Sequence, residues 1–195
     1  MYVSLFPDPS RVSEEQLRED ILSIPAWRAS KALKYRRLID RVLCVKAYVL
    51  LRDILRREYG LAGNPEFSYL ECGKPVLKDF PDIHFNLSHC EKGILCVVDD
   101  NPVGCDIEVI PETVDKDILR YAFSPAEQDA ILGASDSRVE FARQWTIKEA
   151  VLKFTGLGLV DDLPSLMTSG LLPQKISIET KTDVIQGFAF TIAKQ

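Results

Sequence analysis

The 195-residue sequence has only two histidines, no cysteines paired as C-x-x-C, and no apolar run that approaches the length of a membrane span. The first two shortages argue against a structural zinc site, and the third argues against a spanning helix, so no membrane partner is expected. There is no P-loop either, because the glycine-rich run Gly156-Leu157-Gly158-Leu159 carries no lysine. Positive charge is also short. Lys and Arg number 24 against 29 Asp and Glu, a net charge of -5, which is the wrong sign for general affinity to a phosphate backbone, so no nucleic-acid partner is expected. The N-terminal MYVSLFPDPS lacks the basic and apolar regions of an export signal. Five cysteines, 44, 72, 90, 96 and 105, are odd in number and mostly set among apolar residues, which predicts free thiols and a cytoplasmic location. No repeat, low-complexity tract or linker interrupts the chain.

What is present is enough apolar residue, 46%, for a globular core. Tyr2 to Phe6 alternates like an opening strand, and Ser13 with Gln16 reads as a capping box for a short helix that ends before Pro25. Leu38 to Tyr59 has apolar residues at three- and four-residue steps and stops at Gly60, which predicts a long core helix. Strands are expected over Phe67–Leu70, Pro75–Leu77, Ile83–Ser88, Gly93–Val98 and Val103–Ile110, in a small, mostly antiparallel sheet. Helices then follow over Asp115–Tyr121 and from a second capping box at Ser124 to Gly133. Lys175–Glu179 and Val184–Ile192 close the chain as strands.

The chemistry concentrates in three stretches. In FARQWTIKEAVLKFT, from Phe141, helical spacing sets Glu149 and Lys153 one turn apart on one face, with an apolar stripe opposite that includes Trp145. Ser137 with Glu140 forms a capping box and Gly156 a left-handed stop. An i,i+4 pair alone is an ordinary surface feature. In PVGCDIEVI, from Pro102, strand alternation points Asp106 and Glu108 the same way. Two such carboxylates, joined by Glu149, repel one another unless a cation sits among them, and hard oxygen ligands favour magnesium, with manganese as the other choice. Zinc through His89, Cys90 and Cys105 has neither the spacing nor the softness of that set. In IHFNLSHC, from Ile83, a strand runs into Asn86, Ser88 and His89, donors suited to phosphate, with His89 expected to be protonated beside the anion. Cys72-Gly73-Lys74-Pro75 reads as a tight turn carrying a lysine.

Taken in order, Gly73-Lys74-Pro75, Asn86-Leu87-Ser88-His89, Val103 to Glu108 and Trp145 to Lys153 resemble the motifs of the 4'-phosphopantetheinyl transferases, most closely the larger surfactin-synthetase-activating (Sfp) type. The likeness runs from about Arg28 to Leu159. Cys90 and Cys105 depart from it, standing where the family often has Ser or Thr and Ile or Val. The resemblance implies an α+β fold of two similar halves related by a pseudo-twofold, each a small mostly antiparallel sheet packed on a long helix. The halves would span residues 1–105 and 106–195, and the active site would lie between them in a monomer. It also implies transfer of the phosphopantetheine arm of coenzyme A to a serine of an acyl or peptidyl carrier protein, releasing 3',5'-ADP. Asp106, Glu108 and Glu149 would hold the metal, and Lys153 would donate to the leaving phosphate. Glu149, or more readily a water on the metal, would take the serine proton. Coenzyme A would be bound by Lys74, Pro75, Ser88, His89, Lys148 and Lys153, with Arg28, Lys31 and Arg41 near its 3'-phosphate. Which carrier is served is not written in any motif.

Overall fold

Asp136, rather than Ser137, caps the helix on which the site is built: its carboxylate accepts from the backbone N–H groups of Arg138 and Val139. Glu140 is drawn away from a capping box because Arg143 and Gln144, one turn on, bind its oxygens. A carboxylate at the cap and a free run of nineteen residues then give a helix over Ser137–Thr155, stopped by Gly156 at φ 68°. The computed structural model describes residues 1–156, 158, 162–168, 170, 172 and 175–195. Leu157 and Leu159, the end of the central stretch singled out in the sequence, lie outside the described residues.

In chain order the elements are β1 (Tyr2–Pro7), α1 (Glu14–Leu22), α2 (Ala26–Leu33), α3 (Leu38–Tyr59), β2 (Phe67–Tyr69), β3 (Pro75–Leu77), β4 (His84–Cys90), β5 (Gly93–Asp99), β6 (Val103–Val109), α4 (Lys116–Ala122), α5 (Pro125–Gly133), α6 (Ser137–Thr155), β7 (Ser177–Asp183) and β8 (Phe188–Lys194). The fold is α+β. One antiparallel sheet has the order β1-β5-β4 and packs on α3, whose Leu51, Ile54 and Leu55 meet Phe85, Cys96 and Val98. The other antiparallel sheet, β6-β8-β7, packs on α6. A third, small sheet pairs β2 with β3. Both capping boxes predicted from Ser13 and Ser124 are formed. β6 runs unbroken through residues 105 and 106 and pairs with β8, so a division there would cut a strand. The turn between β5 and β6 is where we propose that the two halves join.

Val184–Ile192 is not one strand. Asp183 accepts from Gln186 N–H through its side chain and from Gly187 N–H through its carbonyl. That turn leaves Val184 and Ile185 exposed at the tip of the β7-β8 hairpin. The two sheets meet where β4 lies against β6, and the buried Asn86 fastens them there: its Oδ1 accepts the Cys105 backbone N–H at 2.9 Å.

Candidate functional site

Strand β6 presents two faces, and neither is bathed in water. Val103, Cys105 and Ile107 enter the core between the sheets, while Gly104, Asp106 and Glu108 face α6. The approach is close because Gly104 has no side chain. A Cβ there would lie 2.2 Å from the Ala150 carbonyl oxygen and 2.3 Å from the Phe154 nitrogen. With the helix seated against the strand, the next outward-facing carboxylates along β6 come under the polar face of α6. This is how Glu149 and Lys153 reach Asp106 and Glu108.

Lys153 does not pair with Glu149, its helical neighbour. Its Nζ lies 2.6 Å from Asp106 Oδ1 and 3.2 Å from Ser88 Oγ, and Ser88 Oγ donates to the same Asp106 oxygen at 2.7 Å. Burial by itself would lower the Lys153 pKa, but the Asp106 charge and hydrogen bond outweigh it, so the ammonium is held. Asp106 is 2% exposed, and its second oxygen, Oδ2, is buried with no hydrogen-bond partner. Glu108 and Glu149 stand in the same cavity. Burial, then the Asp106 charge, pushes Glu108 up to about 7. Burial first, with Asp106 adding to it, raises Glu149 against the pull of Lys153.

An orphaned buried carboxylate oxygen with two further carboxylates of raised pKa fits a hard dication. The carboxylates are nevertheless not gathered around one point as the sequence led us to expect. Among the described residues no three His, Cys, Asp or Glu side chains are grouped to hold a metal as they stand, and the Lys153 ammonium is bound to one of the three carboxylates, Asp106.

Glu108 gives a pH signature. Its folded value of about 7 lies above the ordinary 4.5, so the metal-free fold favours its protonated form. That contribution is complete below about pH 4.5 and is lost as pH rises through about 7. Thermal unfolding of metal-free protein between pH 5 and 8 should therefore show a fall in Tm that is smaller in Glu108→Gln; equal slopes would mean that Glu108 titrates normally.

Three neighbouring cavities share wall residues here. The central one, about 370 Å³, is lined by Ser88, His89, Asp106, Glu108, Trp145, Glu149 and Lys153. It shares His89 with a smaller cavity of about 150 Å³ lined by Arg28, Lys31, Tyr35 and Asp40. It shares Leu87, Glu149 and Lys153 with a mostly apolar one of about 500 Å³, bounded by Cys72, Gly73, Lys74, Pro75 and Gly156.

Several residues singled out in the sequence behave differently from expectation. Lys148 does not reach the cavities. It is 1% exposed, its Nζ donates to the Leu163 carbonyl at 2.9 Å and pairs with Glu127 at 3.0 Å, and it lies over the Phe123 ring. One residue before Glu149, it points to the other side of the helix and ties α5 and the 162–168 segment to α6. A phosphate contact for it is withdrawn.

Lys74 keeps its ammonium on the end of α6, donating to the carbonyls of Lys153 (2.5 Å), Phe154 (3.4 Å) and Val103 (3.2 Å). A cation at the negative end of a helix is well placed, but what Lys74 offers the cavity is its backbone and aliphatic stem. Burial, then the charges of Lys153 and Arg28, lower the His89 pKa. Of the basic residues chosen for the 3'-phosphate, Arg28 and Lys31 line one cavity, whereas Arg41 does not line it and donates to the Tyr35 carbonyl. Arg28 Nη2 holds the Cys44 carbonyl at 2.7 Å and leaves a buried Nε unpartnered. Trp145, read as core, packs on Phe123 and Phe141 and also forms a wall of the carboxylate cavity. The five thiols are all free, with only Cys72 exposed. Among the described residues no helix is long and apolar enough to cross a membrane.

Comparison with known proteins accords with this arrangement. Residues 102–188 match the family model of the 4'-phosphopantetheinyl transferase superfamily. Over 166 residues the chain is 33% identical to the 4'-phosphopantetheinyl transferase psf-1 of Bacillus pumilus, covering 84% of this chain and 71% of that protein. Over 171 residues it is 30% identical to the 4'-phosphopantetheinyl transferase Sfp of Bacillus subtilis (strain 168), covering 86% and 76%. It is 40% identical over 117 residues to the 4'-phosphopantetheinyl transferase AcpT of Escherichia coli (strain K12), covering 52% and 59%.

Proposed function

As this chain belongs to the 4'-phosphopantetheinyl transferase superfamily, we propose that it transfers the phosphopantetheine arm of coenzyme A to a serine of an acyl or peptidyl carrier protein and releases 3',5'-ADP. The observation that carries this reading is the set of three neighbouring cavities that share wall residues: one holding Arg28 and Lys31 with Asp40, one acidic with Lys153, and one mostly apolar. An elongated substrate with a phosphate at one end, a diphosphate inside and an uncharged remainder matches those environments.

In this reading Arg28 and Lys31 receive the 3'-phosphate, with His89 at the junction. The unpartnered Arg28 Nε is a donor in waiting. An anion arriving beside His89 would oppose the burial and the positive charges that lower its pKa, because a nearby negative charge favours the protonated form. Pro75 and the stem of Lys74 give an apolar wall to uncharged parts of coenzyme A.

Asp106, Glu108 and Glu149 are the residues that would hold magnesium, or manganese in its place. When bound, the ion would neutralise diphosphate charge and stabilise the leaving oxygen. Lys153, whose ammonium is held against the effect of burial by the Asp106 charge and hydrogen bond, donates to the leaving phosphate. Glu149, or more readily a water it orients, would accept the proton of the incoming serine, since a carboxylate engaged with a cation is a weak base. Phosphoryl transfer asks chiefly for alignment and charge compensation, and these side chains sit on a helix and a strand fixed by packing. We further propose that the chain acts as a monomer in the cytoplasm and that its two sheet-and-helix units are halves related by a pseudo-twofold.

Enzyme and passive binder are separated by Glu149→Gln. The reading predicts that the variant still binds coenzyme A within about threefold of wild type while release of 3',5'-ADP in the presence of apo carrier falls by about 10²-fold or more. Unchanged release would remove Glu149 from the chemistry, and absence of release from the wild type with every carrier would favour a binding module.

A further inference from the structure

Lys153 lies against Asp106, one of the three carboxylates read as holding a dication, in the cavity that Glu108 and Glu149 also line. Its Nζ sits 2.6 Å from Asp106 Oδ1, and the same oxygen takes the Ser88 hydroxyl at 2.7 Å, so one Asp106 oxygen is doubly engaged while the other is bare and buried. Asp106 is the most deeply buried of the three carboxylates, and without a positive neighbour it would be an uncompensated charge in a poorly solvated place. Lys153 supplies that neighbour. The cost of the arrangement falls on the metal, since an ammonium already neutralising Asp106 repels an incoming dication and holds the oxygen it would share.

We propose that Lys153 is a built-in counter-ion that stands in for the metal in the empty enzyme, weakening metal binding until an anionic substrate draws the ammonium off Asp106. The inference rests on the reading that Asp106, Glu108 and Glu149 hold the ion. It follows that metal and coenzyme A bind with positive coupling, each favouring the other by the same factor. Free enzyme then holds little metal, and the complete site assembles only once the diphosphate is in place to receive the lysine. Two features limit where Lys153 can go. Lys74 clamps the Lys153 carbonyl at 2.5 Å, so the backbone stays fixed and only the side chain swings. Ser88, 3.2 Å from Nζ, remains as its partner on the same wall.

The experiment titrates the full-length protein with Mn²⁺ alone, following the free ion by electron paramagnetic resonance, for wild type, Lys153→Met, Lys153→Gln and Asp106→Asn. The titration is repeated for wild type with 3',5'-ADP plus pyrophosphate, and binding is read as the Mn²⁺ taken up beyond that held by the same anions without protein. Circular dichroism checks folding, and Tm with and without Mn²⁺ gives a second readout for any variant of low stability. The expected result is that either neutral replacement of Lys153 binds Mn²⁺ about tenfold more tightly than wild type and gains more in Tm on adding it. The anions should tighten wild-type binding by a comparable factor, and Asp106→Asn should bind least.

If the Lys153 variants bind Mn²⁺ no better than wild type while Asp106→Asn still loses it, the carboxylates hold the metal but Lys153 is not its stand-in, and the inference fails alone. If no protein binds Mn²⁺, with or without the anions, the metal reading itself falls and this inference with it.

Discussion

Gly104→Ala is expected to lower stability by more than about 3 kcal/mol and to remove activity with it. The added methyl group would meet three backbone atoms of α6: the Ala150 carbonyl oxygen at 2.2 Å, the Phe154 nitrogen at 2.3 Å and the Phe154 Cα at 2.7 Å. None is the end of a side chain that could rotate away. The helix must therefore lift from β6 or the strand must bend, and either movement opens the contact between the hydrophobic face of α6 and the β6-β8-β7 sheet. It also separates Lys153 from Asp106. Urea denaturation gives the stability, and the midpoint should fall sharply. A midpoint equal to that of wild type would show that strand and helix are less closely apposed than described.

Asp106→Asn is expected to reduce kcat/KM for transfer by about 10²–10³-fold with a smaller loss of stability. Asparagine keeps an acceptor for Ser88, so the local hydrogen bond survives, but the charge that holds the Lys153 ammonium is gone. The neighbours report the same loss. Asp106 is the second cause, after burial, of the raised Glu108 pKa, so the Glu108 carboxyl should titrate lower in this variant when followed by NMR. Wild-type kinetics in Asp106→Asn would mean that the acidic cavity is not where the reaction is carried out.

How much of this could be read in the chain depends on the range of the interaction involved. α3 was legible to the residue because its apolar spacing and Gly60 stop are local signals. The caps at Ser13 and Ser124 were legible for the same reason. Asp136 was missed in favour of Ser137 because both are good caps, and the choice was decided by Arg143 and Gln144 taking the side chain of Glu140. The hairpin turn over Val184 and Ile185 was missed because two exposed apolar residues read as strand.

In the site, the strand period correctly set Asp106 and Glu108 on one face, and the helical period set Glu149 and Lys153 on another. What no spacing could say is which opposite charge Lys153 would choose. That is a contact across 47 residues, decided by the close approach at Gly104. Lys148 and Glu149 are neighbours in sequence and were given related roles. One turn-step of about 100° separates their directions, sending one to Glu127 and the other to the cavity. Lys74 was read as a ligand because it stands in a turn; its engagement with the last carbonyls of α6 is visible only in three dimensions.

The most direct test is to weigh the carrier. Purified protein is mixed with coenzyme A, magnesium and an apo carrier protein, in separate trials with fatty-acid and peptide-synthetase carriers, and the carrier is examined by intact mass spectrometry. The account predicts that at least one carrier gains the mass of a single phosphopantetheine arm, on its serine, and that Asp106→Asn slows the gain. Carriers of both kinds that keep their apo mass with folded wild-type protein would contradict it.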